Sequence, residues 1–165
     1  AAQGLNATPE NIAAVSPWRF AAPLSPDMAA AREGREIDFE RLLGFCRTAW
    51  DGPEDVLLVE GIGGVLVPLD GVHTVMDWVV ALRMPSLVVG GSYLGTISHT
   101  LAALEALRAR NAVIAAVVIS ESEESPVPLE ETVSAIRQFA SGTIIHSLPR
   151  DCRDDAFSAL AALVR

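Results

Sequence analysis

The sequence contains no lysine, and all twelve of its basic residues are arginines. Chemistry that needs a lysine ammonium is therefore excluded from these 165 residues. Acidic side chains outnumber basic ones, twenty-one to twelve, and the net charge of -9 repels nucleic-acid backbones and anionic membrane surfaces. No nucleic acid and no membrane is expected as a partner. Long apolar runs are also missing, because Asp, Glu, Arg or Gly interrupts each one before the ~18 residues of a membrane span. No charged stretch leads into an apolar one with a cleavage site at the N-terminus, so the expected location is cytoplasmic. Cysteine is scarce: Cys46 and Cys152 lie far apart and outside any CxxC or Cys/His pattern, which reads as two reduced, buried or half-buried thiols.

What the chain does have is apolar content, 50% of its residues, enough for one substantial core and hence one domain. Residues 1–37 read as an irregular lead-in punctuated by Pro9, Pro17, Pro23 and Pro26, with a short helix over 27–33 stopped by Gly34. Helical spacing of Phe39, Leu42, Leu43, Phe45 and Cys46 predicts a helix over 38–50 with Asp38 as its N-cap. The continuous apolar run at 56–59 predicts a strand buried on both faces. Alternation then continues: helix 74–83, strand 86–89, helix 98–110, strand 113–119, helix 129–139, strand 143–145, helix 154–164. Four apolar strands separated by amphipathic helices imply βαβ units, and hence an α/β fold with a doubly wound, mostly parallel sheet.

Ligands of such sheets bind outside the carboxyl ends of the strands. Two of the expected strand ends carry unusual chemistry. Glu60, Gly61, Ile62, Gly63 and Gly64 place a carboxylate before three glycines in four positions. The glycines permit close approach of backbone to a phosphate and the carboxylate suits a magnesium ion, although a tight turn with an exposed Glu has the same pattern. The second segment, from Gly90 to Thr100, passes from a glycine-rich loop into a helix whose open N–H groups suit an anion. By spacing alone, Thr96 or Ser98 reads first as a plain N-cap, and His99 as a packed or surface histidine.

The stretch Asp55 to Leu69 (DVLLVEGIGGVLVPL) resembles the VEGAGG-x-x-x-PL segment of dethiobiotin synthetases. Asp77-Trp78, Met84-Pro85 and the LGTISH of Leu94 to His99 follow in the same register, and PWRFAAPLSP of Pro17 to Pro26 resembles that family's NPYxFxxPxSPH stretch. The resemblance implies a P-loop NTPase-like fold and an ATP- and magnesium-dependent ligase of biotin biosynthesis. Its reaction closes the ureido ring of dethiobiotin on 7,8-diaminopelargonic acid with CO2: one amine becomes a carbamate, ATP phosphorylates it, and the second amine displaces phosphate. Carried over by position, Glu60 is implied as the magnesium ligand. Gly61, Gly63 and Gly64 are implied beside the nucleotide phosphates, with Ser120 and Pro149 beside the base. Leu94, Gly95, Thr96 and Ser98 are implied as holding the diamine and its carboxylate at the interface of a homodimer.

The departures shape the expectation further. The family's GTDTxVGKT P-loop and KP lysine have no counterpart here, so no catalytic residue is assigned within the chain, and a whole member would need roughly 50 residues ahead of Ala1, about one βαβ unit. The chain is thus expected to be an N-terminally truncated domain, doubtful as a catalyst by itself. Ser98 stands where the family has asparagine, Tyr93 where it has lysine, Ser120 where an asparagine reads adenine, and Arg150 where tryptophan follows proline. Relaxed nucleotide preference is one expectation from these changes. The alternative to the enzyme is a non-catalytic paralogue that serves as a binding or regulatory subunit.

Overall fold

The computed structural model describes residues 6–152 and 154–162. Helix α1 (Pro9–Val15) opens them, with Thr8 as N-cap accepting from the Asn11 N–H, and α2 (Pro26–Arg32) follows, its first position filled by proline, which has no N–H to lose. Helix α3 (Phe39–Trp50) starts at Asp38, whose carboxylate accepts the Arg41 N–H at 3.0 Å. A turn at 69–74 leads into α4 (Val75–Leu82), which opens on a capping box: Thr74 Oγ1 accepts from Asp77 N, and Asp77 Oδ2 accepts from Thr74 N at 2.8 Å. Ala30, Leu42, Leu43, Cys46, Leu69, Val75 and Trp78 close a first core between these helices.

The second core belongs to the sheet. Strands β1 (Ser86–Gly90), β2 (Ile114–Ser120) and β3 (Ile145–Leu148) pair in parallel in the order β1-β2-β3. Helix α5 (Thr96–Ala109) joins the first two, α6 (Leu129–Phe139) joins the last two, and α7 (Asp154–Ala161) follows. On β2, the period of two sends Val117 and Ile119 to one face, where Leu104 of α5 and Val133 and Ile136 of α6 meet them with no exposed surface. Burying each such side chain stabilises by about 1.5–3 kcal/mol. Both helices therefore cover the same face, and both turn their N-termini toward the carboxyl edge of the sheet.

Three expectations change. Residues 56–59 form no strand: no described segment offers them a ladder, and Leu58 is 74% exposed, so the apolar run lies along the surface instead of between neighbours. The last strand begins at Ile145 and not at 143, because Thr143 is used in closing α6: its N–H donates to Ala140 O and its hydroxyl accepts from Arg108 at 2.7 Å. The lead-in contains α1, which the prolines obscure because Pro9 sits at the one helical position that tolerates it. Helix α7 matches its expected start; residues 163–165 lie outside those described.

Candidate functional site

The three carboxyl ends of the strands are drawn together at one edge. After β1, Gly91 and Ser92 turn the chain into α5; after β2, residues 121–125 run toward α6; after β3, Pro149 and Arg150 turn outward. Ser92, with 0% exposure, receives the Ser122 N–H on its Oγ at 2.8 Å, while Ser122 Oγ receives the Ser92 N–H at 3.0 Å. Ser125 Oγ donates to Ser92 O at 3.1 Å. From the other side, Glu121 Oε2 accepts the Arg150 N–H at 3.0 Å, and the Arg150 guanidinium lies 3.3 Å from Glu123.

Helix α5 begins at Gly95, whose φ of +99° is left-handed backbone that side chains rarely adopt. No side chain caps it. Thr96 is the first helical residue and, unlike the expected cap, is buried and donates its hydroxyl backward to Gly91 O at 2.8 Å. Ser98 is exposed in the first turn, and Leu94 is 87% exposed. Tyr93 shares a hydrogen bond of 3.1 Å with His99 Nδ1, folding its ring back along the first turn of α5. Gly91 makes room for this: a Cβ there would stand 2.7 Å from both the Tyr93 ring and Ser122 Oγ. Tyr93, Leu94, Ser122, Glu124, Ser125 and Pro126 line an open cleft of about 430 Å³.

Charge of both signs stands at this edge of the sheet. The uncapped start of α5 offers N–H groups and the positive end of a helix dipole to an anion. Glu124 on the cleft lining, with Glu121 and Glu123 nearby in sequence, offers negative charge to a cation.

Of the residues singled out in the sequence, Leu94, Gly95, Thr96 and Ser98 thus share this edge with Ser120, at the end of β2, and Pro149, just past β3. Glu60, Gly61, Gly63 and Gly64 lie elsewhere. Their exposed turn rests on the start of α4, where a Cβ on Gly61 would meet Val75 at 3.0 Å, and Gly64 O accepts from Val67 N. Asp77, in that same first turn of α4, pairs at 2.9 Å with Arg110 at the far end of α5, and among the described residues no hydrogen bond joins 60–64 to 90–98. Glu60 is a single exposed carboxylate, and no cluster of three His, Cys, Asp or Glu stands among the described residues. One carboxylate completed by phosphate oxygens and water is an ordinary magnesium site, so the residue present fits that ion.

Sequence reasoning missed the three serines. Their only signal is position: Ser92 follows two glycines at a strand end, and Ser122 and Ser125 are embedded in what reads as an acidic run.

A family model described as an AAA domain matches residues 2–153. The chain is 53% identical over 134 residues to the ATP-dependent dethiobiotin synthetase of Acidiphilium cryptum, covering 81% of this chain and 60% of that one. It is 47% identical over 147 residues to the protein of the same name from Methylobacterium nodulans, covering 88% and 65%. It is 45% identical over 158 residues to that of Caulobacter vibrioides, covering 94% and 71%.

Proposed function

Because the chain belongs to the ATP-dependent dethiobiotin synthetase family, we propose that it forms one domain of a dethiobiotin synthase, closing the ureido ring from 7,8-diaminopelargonic acid, CO2 and ATP with magnesium in a cytoplasmic homodimer. The reading carries over from proteins longer than this chain, which spans 60% and 65% of the first two relatives. The observation that carries it is the uncapped start of α5, which follows the cleft-lining Tyr93 and Leu94, in a chain 53% identical to a protein of that name. The uncapped start of α5 suits the substrate's carboxylate.

In this reading Leu94, Gly95, Thr96 and Ser98 hold the substrate, its carboxylate against the first-turn N–H groups of α5. The second amine and the phosphorylated carbamate belong to one molecule, so ring closure is intramolecular, and holding the substrate fixes the amine in line for attack on the carbamate carbon as phosphate leaves. Ser120 and Pro149 flank the base, and the glycines at 61, 63 and 64 let backbone approach the phosphates. Magnesium, when bound, neutralises phosphoryl charge; Glu60 would hold it, the Glu60 turn and the α5 start, which lie apart within one chain, meeting across the homodimer interface.

The test is dethiobiotin formation by the complete polypeptide, followed with labelled bicarbonate. Product that requires the diamine, ATP and magnesium supports the reading. A folded protein that binds no nucleotide and forms no product overturns it in favour of a non-catalytic binding subunit. Glu60→Ala is expected to reduce magnesium-dependent turnover by about a hundredfold or more, the scale of lost phosphoryl-charge stabilisation, with the melting temperature retained. Turnover equal to wild type removes Glu60 from the site.

A further inference from the structure

A line of polar contacts crosses all three strand ends, and its centre is buried. Ser92 and Ser122 each accept the other's backbone N–H, Ser125 donates to Ser92 O, and one residue before Ser122 the Glu121 carboxylate takes the Arg150 N–H. A buried amide without a partner is costly, so neither loop can move away from the other without leaving two donors unsatisfied. Gly91 is part of the arrangement, since a Cβ there would collide with Ser122 Oγ at 2.7 Å.

The consequence is mechanical. Ser92 sits three residues before the turn at Gly95 that starts α5, and Ser122 sits two residues after Ser120 at the end of β2. Ordering either loop therefore orders the other. We propose that the Ser92–Ser122 pair is a positioning device that couples the loop holding the diamine to the loop facing the nucleotide base, so that each ligand tightens the other. This rests on the dethiobiotin synthase reading. The coupling follows from binding to a loop that the first ligand has already ordered, with no contact between the ligands required.

The experiment measures the KM of the diamine at saturating and at low ATP, with kcat and melting temperature, in the complete polypeptide. In the wild type, diamine KM falls as ATP rises. Ser122→Ala is expected to raise diamine KM about tenfold, the factor associated with one unsatisfied buried donor, with kcat within about twofold and the ATP dependence of KM lost. Ser122→Thr, which keeps the hydroxyl, restores that dependence. A merely structural serine would lower the melting temperature and leave the dependence in place, which overturns the proposal. So does a fall in kcat with KM unaltered, or a wild type whose diamine KM ignores ATP. Should Ser122→Ala fail to fold, Ser125→Ala removes that hydroxyl's bonds to Ser92 O and Val127 O and is expected to weaken the same dependence; no change in it overturns the coupling. A wild type that forms no dethiobiotin brings down the function itself, whereas an active wild type matched in every parameter by Ser122→Ala brings down the pairing alone.

Discussion

At Gly95 a single φ angle decides whether α5 begins where it does. At φ +99° an added Cβ meets His99 only at ordinary contact distance, so the cost of alanine there is torsional and not a clash. Gly95→Ala is expected to destabilise the protein by about 1–2 kcal/mol, the penalty of left-handed backbone for an L-residue. Urea unfolding at neutral pH measures it, and stability equal to wild type would mean that the turn relaxes freely. Gly91 differs in kind, being required for space. Of the two requirements, the sequence displays neither directly: GGSYLG shows that glycine is abundant at this strand end, whereas which glycine carries which demand depends on Tyr93 folding back onto His99. The serines are less legible still, since hydrogen bonds between residues thirty positions apart leave no local pattern.

Among the elements, α4 has part of its stability tied to charge. Backbone and hydroxyl hydrogen bonds from Thr74, assisted by the Arg110 guanidinium, hold the Asp77 carboxyl at about 2, below its ordinary 3.8. A depressed carboxylate stabilises the fold above its unfolded pKa and loses that contribution as the pH falls through the folded value. Asp77→Asn is accordingly expected to be less stable than wild type by up to about 2 kcal/mol at pH 7, with the difference closing between about pH 4 and pH 2. Chemical denaturation across that range checks it, and a gap of constant size would assign the effect to packing. Elements such as α3, α4 and α6 are legible because cap residues and a 3.6-residue period are local, and α6 is read from Leu129 to Phe139 as it stands. The run at 56–59 is not, because four apolar residues specify a strand only if other strands flank them. β3 is displaced for a related reason, Thr143 being taken by Arg108 of α5.

Across the whole molecule, the two cores differ in how their backbones are secured. The sheet and its two helices are laddered and covered, whereas the stretch from 53 to 63 donates no backbone N–H to any described backbone carbonyl. Amide exchange is expected to be slowest in β2 near Val117 and Ile119, and to approach the unprotected rate through 54–63. Uniform protection across both regions would contradict this division. Local sequence therefore discloses the βαβ rhythm of the second half far better than the surface course of the glycine turn, which depends on what lies against it. The bare start of α5 carries a last consequence. A serine or aspartate ordinarily completes the first turn of a helix; under the proposed function the substrate's carboxylate takes that place on α5. The ligand then acts as the missing residue of the fold, and its affinity and the protein's resistance to heat become two readings of one free energy.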